Sequence, residues 1–309
     1  MNTLLFTHKS CIGHDPGPHH PECPDRLRAV MTALEAEEFQ LLDRREAPRA
    51  DIDQIALVHD RDYTHAVLDA IPNEGRRSLD GDTHVSPDSG EAALRAAGAC
   101  CAAVDAVVAG DARNAFCAVR PPGHHAEPAI AMGFCLFNSV AVAAAHARKS
   151  HGLERVAVVD FDVHHGNGTQ AMFWKDPGLF FASTHQSPLY PGTGNLGERG
   201  DHGNILNAPL APMSGSAEFR EAMAETILPA VRTFDPDLVL ISAGFDAHKA
   251  DPLAMLNFET GDYAWATEEL MAIADDRCGG RVVSTLEGGY DLRALAESTA
   301  AHVRTLMAG

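Results

Sequence analysis

The chain predicts an α/β fold with a mostly parallel central sheet flanked by helices, on two observations. Short apolar, β-branched runs alternate with longer segments of helical periodicity. The polar residues capable of chemistry then cluster directly after the apolar runs, where ligands collect in open α/β sheets. The first strand is predicted over 3–7 (Thr-Leu-Leu-Phe-Thr), followed by helices over 24–38 and 61–70. The Ala-rich segment predicts a helix over 88–109, and Ala-Phe-Cys-Ala-Val a strand over 115–119. A helix over 137–150 leads to strands over 156–161 and 179–183. After a helix over 215–233, Pro236 blocks helix continuation and a β-rich run predicts a strand over 237–243. A helix over 260–276, a strand over 281–286 and a helix over 292–307 complete the pattern. Three Gly/Pro-rich stretches, 11–24, 120–134 and 186–204, read as loops, and loops of that length in a compact domain are often functional.

At 309 residues the chain can bury a large core, and a single domain over 1–309 is expected. The net charge of −19 argues against binding nucleic acid through its phosphates. It suits either a plain solvated surface or the attraction of cationic partners such as lysine-bearing peptides and polyamines. The seven cysteines include no Cys-x-x-Cys pair, so reduced thiols of a cytoplasmic protein are expected. The N-terminus has too short an apolar run for a signal peptide. The segment 92–109 is long enough for a membrane span, but Arg95 and Asp105 interrupt it, so it reads as a buried helix and no membrane partner is expected.

The most informative stretch runs from Val156 to Gly168. A buried strand ends there in Asp160, Asp162, His164 and His165. Unpaired buried charge is costly, so such a cluster must bind a metal, pair internally or open into a cleft. Residues two apart on a strand end point the same way, so Asp162 and His164 can reach one ion with Asp160 behind them. Three other predicted strands end in groups of the same kind: Arg120-Pro-Pro-Gly-His124-His125, Gly244-Phe-Asp246-Ala-His248 and Glu287-Gly-Gly-Tyr290. Asp162, His164 and Asp246 make a set of three ligands that leaves a fourth position open, the usual form of a catalytic zinc site. Iron(II), cobalt and manganese compete for such donors, and His248 is an alternative third ligand.

His124 and His125 follow a stiff Pro-Pro pair and a glycine, so a backbone turn there lets both rings face one cavity. Imidazoles beside a metal suit acid and base work. Asp160 and Asn167 are the candidates for the groups behind them. An Asp raises the basicity of its ring and an Asn does not, so the two histidines are expected to differ. Tyr290 follows two glycines that free its loop to bring a phenol toward a developing oxyanion, the alternative being a packing role. Phe134 and Tyr190 lie in loops that either wall a slot for an alkyl chain or pack in the core.

These residues resemble the zinc-dependent lysine deacetylases, the histone deacetylase family. The matching motifs are His20-Pro-Glu-Cys-Pro-Asp-Arg-Leu27, Arg120-Pro-Pro-Gly-His-His-Ala126, Gly133-Phe-Cys-Leu-Phe-Asn138, Asp160 to Gln170, Ser242-Ala-Gly-Phe-Asp-Ala247 and Leu286-Glu-Gly-Gly-Tyr-Asp-Leu292. Asn167 and Glu287 look like the class II branch, since class I members usually carry Asp and Gly there. The resemblance implies a three-layer arginase/deacetylase-like fold. It implies zinc on Asp162, His164 and Asp246, with His125 as base, His124 as its electrostatic or acid partner, and Tyr290 polarising the amide carbonyl. Phe134 and Tyr190 then line an acyl-lysine tunnel with Gly133. The segment 71–87 is expected to border the entrance, with Asp82 a candidate substrate-binding residue whose contact with the peptide backbone is left open. A structural potassium ion is also implied at Asp160, Asp162, His164 and Ser183.

The implied function is removal of acetyl or other short acyl groups from lysine side chains by metal-activated water. The alternative is a deacetylase of acetylpolyamines or other small acyl amines. Relatives that prefer polyamines often place a Glu seven residues after the last zinc-ligand Asp, where this chain has Leu253. A non-catalytic acyl-lysine binder and a two-manganese ureohydrolase are disfavoured, the first because no ligand is missing, the second because the strand ends hold too few carboxylates. The oligomeric state is left open, a homo-oligomer included.

Overall fold

A computed structural model describes residues 2–309. Among the described residues ten strands run β1 (Thr3–Thr7), β2 (Asp43–Glu46), β3 (Arg77–Ser78), β4 (His84–Val85), β5 (Asn114–Cys117), β6 (Val156–Asp160), β7 (Leu179–Gln186), β8 (Ile205–Leu210), β9 (Leu238–Ala243) and β10 (Val282–Leu286). The helices are α1 (Ser10–Gly13), α2 (Pro24–Ala33), α3 (Ile52–Ile55), α4 (Arg61–Asp69), α5 (Ser89–Ala109), α6 (Ser139–His151), α7 (Asn167–Phe173), α8 (Ser216–Ala222), α9 (Leu228–Phe234), α10 (Thr260–Cys278) and α11 (Leu292–Ala308). Eight strands form one sheet in the order β2-β1-β5-β10-β9-β6-β7-β8, every pair parallel. The strands β3 and β4 form a separate antiparallel ribbon.

The order of the sheet explains why the motifs meet. The chain leaves β5, passes over two positions to β6, and fills the gap later with β9 and β10. The four strands whose ends carry the chemistry are therefore the four central neighbours. Registers Thr285↔Cys117, Thr285↔Ser242, Asp160↔Ser242 and Asp160↔Ser183 bring their carboxyl ends to one level. This is the crevice where doubly wound sheets take ligands. Every residue of β5, β6, β9 and β10 is buried, as expected of parallel strands covered on both faces.

Helix ends follow local chemistry. Asn138 caps α6 by accepting from the Ala141 amide, and Asp291 caps α11 by accepting from Ala294. The helices α5, α6 and α10 stop at Gly110, Gly152 and Gly279, each in the left-handed conformation that glycine adopts at no steric cost. The apolar helix α5 is long enough to cross a membrane, but most of it is buried in the fold against α6, α1 and the sheet.

The helix expected over 24–38 ends at Ala33 and gives way to a 3-10 turn over Glu37–Phe39. Leu34 and Phe39 are both fully buried, and two positions five apart fall on different faces of a continuous helix. The segment expected as helix 215–233 is helical throughout, with one wider turn at Met223–Ile227 between α8 and α9. Two strands of the main sheet, β2 and β8, were not expected. The loop read as 11–24 opens within the short helix α1, and that read as 186–204 begins on the last residue of β7.

Candidate active site

Asp162, His164 and Asp246 converge. His164 Nδ1 lies 3.2 Å from Asp162 Oδ1 and 3.1 Å from Asp246 Oδ2. The remaining oxygens are committed to backbone: Asp162 Oδ2 accepts from the Gly288 amide at 2.8 Å, and Asp246 Oδ1 from Val163 at 2.9 Å. Each carboxylate thus turns one oxygen toward the imidazole. All three side chains are buried or nearly so. Ligand atoms on a tetrahedral ion with bonds of ~2.0–2.1 Å stand roughly 3.3 Å apart, close to the separations found here.

The electrostatics agree with that fit. Burial and the neighbouring Asp162 push Asp246 above the usual carboxylate range. Against burial, His124 and His164 hold Asp162 well below it. Burial lowers His164, yet the two carboxylates outweigh it and pull the ring up to about 10. Two buried carboxylates sharing one imidazole form an excess of negative charge that a divalent cation would neutralise. His248 takes no part: its Nδ1 accepts from the Ala250 amide, outside the three-ligand cluster.

The tandem histidines pack against each other, their ring centroids 4.1 Å apart, but only His125 lines the cavity over the site, with His124 buried behind it. His124 Nδ1 lies 2.8 Å from Asp160 Oδ2, and His125 Nδ1 lies 2.8 Å from Asn167 Oδ1. Burial opposes charge on both rings. At His124 the carboxylates of Asp160 and Asp162 outweigh it and raise the pKa well above the ordinary value. At His125 the positive charge of His124 and His164 reinforces it, and the pKa falls well below. The two rings differ in basicity as expected; Asp160 accounts for the rise at His124, whereas the fall at His125 comes from burial and the neighbouring positive rings and not from Asn167. Asn167 Oδ1 can only accept, so His125 carries its proton on Nδ1 and leaves Nε2 bare.

A cavity of about 250 Å³ opens over these groups, lined by Asp82, His125, Gly133, Phe134, His164, Leu189, Tyr190, Leu253 and Tyr290. Phe134 and Tyr190 are walls, not core. The Tyr190 ring packs edge-on to His125 at 5.2 Å, and Phe134 edge-on to Tyr290 at 5.9 Å. Phe134 holds a φ of 69°, a conformation that side chains rarely take, beside Gly133 at 57°. A Cβ at Gly133 would overlap the His125 ring, so the close approach of Phe134's loop to His125 requires glycine there. Asp82 Oδ1 accepts from the Gly133 amide at 3.2 Å and fixes the rim. Ser183 sits beside Asp160 in register, and its Oγ is paired with His185 Nδ1 at 2.9 Å.

Comparison with known proteins gives this geometry a lineage. A family model described as histone deacetylase domain matches residues 20–306. The chain belongs to the histone deacetylase family. It is 40% identical over 324 residues to "Histone deacetylase 14, chloroplastic" of Arabidopsis thaliana, covering 98% of this chain and 76% of that one. It is 38% identical to "Polyamine deacetylase HDAC10" of Homo sapiens, covering 99% of this chain and 48% of that one. Among solved structures, "Crystal Structure of HDA15 HD domain" superposes with a TM-score of 0.94 at 34% identity, covering 99% of this chain and 88% of that one. The protein is a hydrolase of this family with the deacetylase fold, and its site holds a set of metal-capable side chains.

Three supporting residues escaped the sequence reading as positioning groups. Arg26 donates from Nε to the Gly289 carbonyl at 2.6 Å and from Nη2 to that of Glu287 at 2.5 Å, and its guanidinium lies 4.9 Å from the Tyr290 ring centroid. Asp251 accepts from the Tyr290 amide at 2.7 Å and from Leu253 at 3.0 Å. Burial and Asp246 push its pKa up to about 7. Glu287 accepts from the amides of Gly123 and His124 at 2.7 and 3.2 Å, fixing the turn that carries the tandem histidines. Arg26 and Glu287 lie within the motifs and were the available signal; Asp251 lies outside them and had none.

Proposed function

We propose that the chain, acting as one domain, removes acetyl or other short acyl groups from lysine side chains of proteins or peptides. The observation that carries the reading is a narrow aromatic-walled cavity ending at the bare Nε2 of His125 beside the cluster Asp162, His164 and Asp246. That cluster would hold one zinc ion, its mixed carboxylate and imidazole donors suiting zinc with an open position. When bound, the ion supplies Lewis acidity to water and to the acyl carbonyl.

The chain's own groups do the rest. The walls Phe134 and Tyr190 pass an alkyl stem between them and exclude water from the reacting amide. His125 Nε2 accepts the proton of the attacking water, since its Nδ1–H is held by Asn167. The Tyr290 hydroxyl donates to the developing oxyanion. The proton gained by His125 then passes to the leaving amine, which gives free lysine and a carboxylate. His124, kept charged by Asp160, contributes a fixed positive field. Asp82 at the rim accepts from the peptide backbone of the substrate. A potassium ion at Asp160, Ser183 and the backbone of Asp162 and His164 would stiffen the turn that presents the ligands.

Deacetylation of polyamines is the second reading. It is favoured by the named activity of the human relative and by the carboxylate of Asp82 at the rim. Leu253, apolar and partly exposed at the mouth, favours the first, because it offers a secondary ammonium no partner. Rates on an acetyl-lysine peptide and on N-acetylputrescine separate them. A higher kcat/KM on the peptide supports the first reading, and the reverse order assigns the enzyme to polyamines.

A further inference from the structure

The geometry points to a second metal site, formed by Asp105, His146 and His151, that takes a divalent transition ion such as zinc. His146 Nε2 and His151 Nε2 both lie 2.6 Å from the same oxygen, Asp105 Oδ1, and the two rings meet edge to face at 5.6 Å. One carboxylate and two imidazoles thus converge from two helices, α5 and α6. The three donor atoms lie within 4.8 Å of one another, as at the catalytic cluster.

The site stands apart from the catalytic centre. The cap of α6, Asn138, bonds to Thr169 and approaches the His124 carbonyl, and the helix ends thirteen residues beyond that cap at His151. At 1.5 Å per residue, that is roughly 20 Å away. The chain then enters β6 at the edge opposite the catalytic loops. Asp105 is also one of the two charges that interrupt the apolar run of α5, and its position opposite two histidines accounts for it.

The donors suit the ion. Two neutral imidazoles and a carboxylate bind zinc, with water completing a tetrahedron. Binding shifts each ring's proton from Nε2 to Nδ1, and His146 Nδ1 already lies 3.2 Å from Ser150 Oγ, which accepts it. Ligand atoms around the ion stand roughly 3.3 Å apart, so the carboxylate has to withdraw by less than ~1 Å. Its side chain is 51% exposed, which gives both that freedom and a path for the ion. The bound ion would clamp the C-terminal turns of α5 and α6 together. Its effect falls on stability and not on turnover.

The test uses the holoenzyme, titrated with zinc sulfate, with bound zinc per chain and the thermal midpoint as readouts. Wild type is compared with His151→Gln and Asp105→Asn, two partly exposed changes outside the catalytic site. The expected result is one more zinc per chain in wild type than in either variant at the same free zinc, with a zinc-dependent rise in Tm that both variants lose. Equal zinc in all three proteins, whether the extra ion is absent or persists, overturns the site. Neither readout depends on turnover, so the outcome is separate from that of the deacetylase reading.

Discussion

Asp160 and Asn167 occupy equivalent places behind two adjacent rings and do opposite things to them. The carboxylate raises the pKa of His124, and the amide only orients His125, which suits the first to a fixed positive charge and the second to the base of the proposed reaction. This division was legible in the sequence because it depends on side-chain type at two positions. The roles of Arg26, Asp251 and Glu287 were not, because they act through backbone groups that only the fold brings near. Two single changes test the residue scale. Tyr290→Phe removes the proposed oxyanion donor and leaves Asp162, His164 and Asp246 unchanged. It should lower turnover by about 10²–10³-fold with zinc content unchanged. Unchanged turnover removes the tyrosine from the scheme. Gly288→Ala places a Cβ against the carboxylates of both Asp162 and Asp246. The expected outcome is a folded protein by circular dichroism whose purified form carries less than one catalytic zinc. Full zinc content would show that the carboxylates have room to move.

At the scale of elements, the central strands were plain and the edges were not. The strands β5, β6, β9 and β10 are short apolar runs because both faces are covered. The edge strand β2 reads Asp-Arg-Arg-Glu, polar throughout, and only its pairing with β1 makes it a strand. The other edge, β8, carries Asn207 and Pro209, which local propensity disfavours. The short α7 opens on Asn-Gly and is set by the site, since the Gly168 amide donates to the His124 carbonyl. The turn holding Tyr290 depends on Arg26 from α2. Arg26→Lys keeps the charge but cannot reach Glu22 and two carbonyls together. We expect a loss of about 2–3 kcal/mol in denaturant unfolding and a fall in kcat larger than any change in KM. Unaltered stability would show that the guanidinium fork is dispensable.

For the whole molecule, burial of neutral imidazoles sets the acid limit of stability. His302 is fully buried, and burial lowers its pKa to about 3. Its Nδ1–H is accepted by Thr267 Oγ1, whose own proton goes to the Tyr263 carbonyl, and its Nε2 accepts from Ser284. The unfolded chain therefore takes up a proton near pH 6.5 that the folded chain refuses until about pH 3. The unfolded state binds more protons within that window, so this group's contribution to stability is full above it and falls as pH drops. Between wild type and His302→Gln, the difference in unfolding free energy should shrink by about 2 kcal/mol from pH 7 to pH 5. A constant difference would mean that the ring titrates in the fold as it does in the unfolded chain. This residue lies outside every motif, and nothing in its sequence neighbourhood marks it as buried.

The proposed chemistry requires one ion on Asp162, His164 and Asp246 beside the tandem histidines. Anomalous diffraction at the zinc edge from crystals of the zinc-loaded protein tests it most directly. The predicted result is a peak within bonding distance of Asp162 Oδ1, His164 Nδ1 and Asp246 Oδ2, whatever is found at Asp105. A zinc-loaded crystal with no peak among those three atoms would contradict it.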